Sequence, residues 1–99
     1  MNAQINILFF GENNKHDKCL YASCKFINYI ELLADKYKDY AKISVTGNNP
    51  FSEHDNVGYK VVVIVYFETK ENRNKLFDLI NDIINSLQSE YIDIKIQMC

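Results

Sequence analysis

Ninety-nine residues, 47% hydrophobic and 13% aromatic, suffice for one domain with a modest core and exclude a disordered chain. Eleven Lys/Arg against 13 Asp/Glu leave a formal charge of −2, too weak to attract nucleic acid by itself and too weak for a densely anionic surface. No apolar run approaches the roughly 18 residues of a spanning helix, and the run over 7–10 is too short for a signal-peptide core. The three cysteines are therefore expected to be free thiols of a cytoplasmic protein.

In chain order, Gln4-Ile5-Asn6-Ile7-Leu8-Phe9-Phe10 reads as a first strand, stopped by Gly11 and the polar turn Glu12-Asn13-Asn14. A helix follows from 16 or 17 to 40, capped by Asn14 or Asp17. Its apolar stripe is Leu20, Ile27, Ile30, Ala34 and Tyr37, with Phe26 and Leu33 beside it. Lys42-Ile43-Ser44-Val45-Thr46 alternates, as a strand with one wet face does, and Gly47-Asn48-Asn49-Pro50 breaks it. The run Lys60-Val61-Val62-Val63-Ile64-Val65-Tyr66-Phe67 is β-branched or aromatic and apolar at both parities, which predicts a central strand. Thr69 is placed to cap a second helix running to about 89, with Leu76, Phe77, Ile80, Ile83, Ile84 and Leu87 on one stripe. Residues 91–98 alternate again.

The order β-α-β-β-α-β is the split-βαβ, ferredoxin-like pattern of the α+β class, over residues 1–99 as one domain. It implies a four-stranded antiparallel sheet in the spatial order 4-1-3-2, with two helices on one face. The central positions then fall to the two strands that are apolar on both sides, and the edges to the two that alternate, so two levels of the sequence agree. Residue parity assigns the faces. Asn6 turns Ile5, Ile7 and Phe9 toward the helices, and Lys60 does the same for Val61, Val63, Val65 and Phe67. Leu8, Phe10, Val62, Ile64 and Tyr66 are left as an apolar strip on the open face, flanked by Ser44, Thr46, Asp93, Lys95 and Gln97. Such a strip exposes on the order of 400 Å², near the largest patch of a typical monomer. It is expected to be an interface unless the segment 47–59 folds back over it.

The chemistry-bearing residues do not assemble a catalytic signature. Cys19 and Cys24 are five apart on a helix and point about 140° away from each other, so they do not share a metal or a disulfide. His16 and Cys19 share a face, but a zinc site needs three or four ligands. Cys19, near a helix N-terminus, is either a small buried thiol or a reactive one. The segment 47–59 is long for a hairpin connection. Its Ser52, Glu53, His54 and Asp55 are too close in sequence to converge as a triad, while Phe51 offers an apolar anchor for binding. The turn at 11–15 precedes a helix but lacks the glycines of a phosphate loop.

Leu8-Phe9-Phe10-Gly11-Glu12-Asn13 resembles the first-strand motif of the RNA-recognition-motif family, whose element order is the same. That resemblance implies base stacking on two open-face aromatics of the third strand, where this chain has Val62 and Ile64. The departure argues against nucleic acid as a partner.

The function expected is that of a non-enzymatic binding protein without cofactor or metal. It would use Leu8, Phe10, Val62, Ile64, Tyr66 and Phe51 to cover a protein partner or to form a homodimer, with no membrane involved. In size and lack of a catalytic set the chain is similar to small inhibitors encoded by phages and mobile elements, anti-CRISPR proteins among them. One alternative is a small ferredoxin-like enzyme or small-molecule binder using a cavity between sheet and helices, with His16, His54, Asp55 or Tyr59 as polar groups. The other is the RNA-binding module.

Overall fold

The computed structural model describes residues 2–12, 16–53, 56–88 and 92–98. Its elements are β1 (Asn2–Glu12), α1 (His16–Lys36), β2 (Ala41–Val45), β3 (Asn49–Glu53), β4 (Asn56–Phe67), α2 (Lys70–Leu87) and β5 (Asp93–Met98). The sheet is antiparallel throughout in the order β2-β4-β1-β5, with β3 also paired to β4. This is the expected 4-1-3-2 arrangement with one strand added.

The added strand lies in the segment read as a loop. β3 and the first residues of β4 pair from Asn49↔Lys60 to Glu53↔Asn56, so 47–59 lengthens the sheet and does not fold across it. Pro50 had marked this stretch as a break. β3 is an edge strand, however, where a missing N–H costs no ladder bond. β4 accordingly takes two neighbours on one side in succession, β3 along its first half and β2 along its second. The outer strands carry Lys42, Pro50 and Lys95, residues that discourage strand addition at an edge.

Gly58 is dictated by proximity. A Cβ built there would run into the Phe9 carbonyl oxygen and meet the Phe10 Cα at 2.8 Å, so only glycine lets β1 and β4 approach this closely.

Both helices cover one face. From the sheet, Ile5, Ile7, Phe9, Val61, Val63 and Val65 enter the core, and Leu76, Ile80 and Ile84 of α2 meet it. α1 buries Ile30, Phe26 and Leu33 as expected but starts its seam at Cys19 and Ala22 in place of Leu20. Cys19, Ala22, Phe26, Ile30 and Leu33 are buried while Leu20 is exposed, and Ile27 is half-buried. Small Cys19 and Ala22 let the helix settle close to the sheet, and the Phe26 ring packs at 5.5 Å on Phe9. Buried Ser23 donates to the Leu20 carbonyl at 2.8 Å and accepts from Asn48 Nδ2 at 3.1 Å. The β2–β3 connection is thereby tied to α1.

α1 ends at Lys36, four residues before the expected 40. The Tyr37 carbonyl accepts from both Tyr40 N and Ala41 N, at 2.9 and 3.1 Å, a bifurcated close that turns the chain directly into β2. At α2 the expected cap is present: the Thr69 hydroxyl accepts from Asn72 N at 3.2 Å with extended backbone.

Candidate functional site

Directly paired residues of an antiparallel sheet share a face, so the register maps the open side row by row. Across β2, β4 and β1 lie Lys42–Tyr66–Asn2 and then Ser44–Ile64–Gln4. Thr46 comes next: its hydroxyl accepts from Val62 N at 3.1 Å, and Val62 pairs with Asn6, which pairs with Gln97 of β5. Further along are Asn49–Lys60–Leu8–Lys95 and Phe51–Gly58–Phe10–Asp93. The parity assignment therefore stands: Val61, Val63 and Val65 have 0% exposure, while Tyr66 is 42% exposed and Val62 and Ile64 are half-buried.

The strip is not continuous, which corrects the expectation. Lys60 occupies the open face between Val62 and Gly58, and Asn2, Gln4 and Asn6 stand opposite the apolar residues of β4. Two apolar clusters result. Val62, Ile64 and Tyr66 run along β4, while Leu8, Phe10 and Phe51 gather toward the far end. Leu8 is only 8% exposed, since its row places it between Lys60 and Lys95, whose stems can lie along it. Phe10 and Phe51 lean together over Gly58, ring centres 6.4 Å apart and edge to face. Phe51 thus fills the space above a glycine, an aromatic rescue of the strand, and is half-buried rather than a free anchor. Sequence parity could not show this pairing, because it depends on β3 being a strand.

His54 and Asp55 lie outside the described residues, as do Asn14 and Cys99, and the side chain of His16 is likewise not described. Tyr59 is buried in the core. Among the described residues no three His, Cys, Asp or Glu side chains converge as a metal site. Cys19 is a buried thiol; burial pushes its pKa up and the Asp93 carboxylate adds to the effect, the reverse of what a reactive thiolate needs. Cys24 is free and exposed, with Asn48 Nδ2 3.5 Å from its Sγ.

Grooves open where the helices diverge. One of about 460 Å³ lies between Tyr21 and Lys25 of α1 and Ser86 and Leu87 of α2. Another of about 390 Å³ lies between Tyr37 and Tyr40 and the start of α2 at Asn72 and Lys75. The first also takes Asp17, Lys18 and Ile92 into its lining, and the second Lys36 and Leu76. No described helix is long and apolar enough to cross a membrane.

No protein-family model matches the chain, and no curated protein matches it in sequence. Solved structures do match in shape. A hydantoinase/carbamoylase family amidase from Burkholderia ambifaria superposes with a TM-score of 0.75 at 7% identity, over 99% of this chain and 27% of that one. A dinuclear metal-binding peptidase of the M20 family from Bacillus subtilis gives 0.66 at 15% identity, over 98% of this chain and 25% of that one. A de novo designed protein with ferredoxin fold gives 0.61 at 16% identity, over 99% of this chain and 84% of the design. The chain spans about a quarter of the length of the two enzymes. At these identities the likeness is one of fold, and the fold it shows is the ferredoxin-like α+β sandwich of sheet and helices.

Proposed function

We propose that this chain is a non-enzymatic binding protein whose working surface is the open face of its sheet. The observation that carries the reading is the asymmetry of β4: one side of the strand is sealed by the helices, and the other holds Val62, Ile64 and Tyr66 with no described element across them. Half-buried aliphatic side chains flanked by amides and lysines suit a protein–protein contact, with an apolar centre and a polar rim. The enzymes of similar fold extend well beyond the part that this chain resembles, so their chemistry is not carried over.

Within this reading, the small size and the surface-borne function fit an inhibitor of the kind phages and mobile elements encode, anti-CRISPR proteins among them, acting in the cytoplasm. The test is a pull-down from the native host, with mass measurement of the native complex, run for the parent and for Ile64→Glu. A carboxylate at Ile64 meets water in the free protein and must be desolvated in the complex. The partner or the dimer should be lost while the melting temperature holds. Retention of the same complex by the variant places the working surface elsewhere.

A further inference from the structure

We infer that the groove where α1 ends beside the start of α2 is a second binding site, for a phosphate monoester carried on a compact aromatic body. Its walls belong to the two helices and to the turn after α1, so the inference does not depend on the open face of the sheet.

The walls carry charge of one sign. The groove, of about 390 Å³, is lined by Lys36, Tyr37, Tyr40, Asn72, Lys75 and Leu76. Asp35, Asp39 and Glu71 adjoin these residues in sequence, yet none of them is part of the lining. A chain that is net negative at −2 thus builds a cavity here with two cations and no carboxylate.

The two cations also converge. The Lys75 ammonium lies 5.2 Å and the Lys36 ammonium 5.6 Å from the centre of the same Tyr37 ring, which they reach from different helices. Among the described residues neither has a carboxylate at ion-pair distance. An exposed cation gains little from a ring, and like charges brought together repel. A dianion lodged between the ammoniums removes that repulsion and gains charge-assisted hydrogen bonds from both.

The floor beneath them is fixed. Tyr37 N donates to the Leu33 carbonyl at 3.1 Å, the Tyr37 carbonyl closes the turn to Tyr40 and Ala41, and the ring packs against the core. The lysine stems leave their heads free to swing onto a ligand above it. Asn72, in the first turn of α2, gives its backbone N–H to Thr69. Its side-chain amide remains to donate to an anion, at the helix end where the dipole favours one. Tyr40 is 63% exposed, its ring tilted 54° to that of Tyr37 with centres 6.4 Å apart. That exposed ring can stack on a flat body beside the phosphate.

This set of groups selects among anions. A phosphate monoester carries a charge of about −1.5 to −2 at neutral pH and three acceptor oxygens, enough for two ammoniums and an amide. A carboxylate brings a single charge and one oxygen fewer. The volume falls within the range of small-molecule sites, about 300–1,000 Å³.

The experiment follows the backbone amide shifts of the full chain with adenosine monophosphate and with phenyl phosphate, against benzoate and inorganic phosphate. Shifts are expected at Tyr37, Tyr40, Asn72 and Lys75, with both esters tighter than either comparison anion. Affinity should fall as pH is lowered through about 6, where the phosphate takes up its second proton. Lys36→Gln combined with Lys75→Gln should weaken the esters about tenfold or more at an unchanged melting temperature, whereas Lys25→Gln, in the neighbouring groove, should leave them unaffected. Tyr40→Ala should weaken the esters and not inorganic phosphate. Tighter adenosine monophosphate assigns a nucleotide as the ligand, and tighter phenyl phosphate a phosphorylated phenol. Benzoate or inorganic phosphate binding as tightly as the esters overturns the inference, as do shifts spread over the other lysines or no shift at millimolar ester. Because no variant here touches the sheet, such a failure leaves the proposed function standing.

Discussion

Val61 and Val62 are the same residue one step apart on the same strand, and they do different work. Val61, with Val63 and Val65, is sealed under the helices at 0% exposure, whereas Val62 and Ile64 stand half-buried on the other side. Composition does not separate the two faces; only what lies across from them does. The covered face has α1 and α2 and is where stability resides. The open face has amides, lysines and two small apolar clusters, and is where a contact can be made without unfolding anything.

The largest expected effect breaks the covered side. Ile30→Ala and Ile80→Ala remove fully buried side chains and should each cost about 2–5 kcal/mol in denaturant unfolding. Ile27 and Ile83, half-buried at the flanks of their stripes, should cost less, so the four truncations measure where each helix meets the sheet.

Gly58→Ala comes next. Its methyl group would press into backbone at β1, so about 2–4 kcal/mol should be lost through strand separation, with faster amide exchange at Phe9 and Phe10 before other β1 amides. Exchange unchanged there would mean the strands part without consequence. A sharper contrast comes from one isosteric change on each face. Val63→Thr buries a hydroxyl and should cost about 1–3 kcal/mol, while Val62→Thr should stay within about 0.5. Equal costs would erase the distinction between the faces.

Thr69→Ala removes the cap hydroxyl at the start of α2 and should cost about 1 kcal/mol. The smallest effect is on pH. Burial raises the Cys19 thiol above its ordinary value of 9.0, so the folded protein keeps a proton that the unfolded chain gives up as pH rises through that value. Stability is full below it and declines above it. Cys19→Ala should flatten the alkaline end of the melting-temperature profile.

Much of this was legible beforehand. The strand order followed from the β-α-β-β-α-β order of elements, with the two-sided apolar runs agreeing, and the faces followed from Asn6 and Lys60. What was missed has a common cause in pairing across the sheet. Pro50 and Gly58 are strand breakers by local preference, yet one sits on an outer edge and the other where two backbones nearly touch. Neither circumstance is visible without the neighbour. The same limit hid the partnership of Phe10 and Phe51. On α1 the spacing puts Leu20 on the apolar stripe, but the side chain that packs under the helix is the smaller Cys19.

β4 also governs the order of assembly. It pairs with three strands, and the one with the shortest connection is β3, from Glu53↔Asn56 onward. Its pairing with β2 closes at Val45↔Val63, and its pairing with β1 joins residues as far apart as Asn2 and Tyr66. Local hairpins close in microseconds, while pairings distant in sequence wait on loop closure. A chain refolding from denaturant therefore passes through an interval in which the valine-rich half of β4 has no cover on either side, the kind of segment that recruits other chains. Synthesis on a ribosome shortens that interval, because β1 and α1 precede β4 and can already be in place when it emerges. Recovery after dilution from denaturant should fall with protein concentration far more steeply than yield during translation.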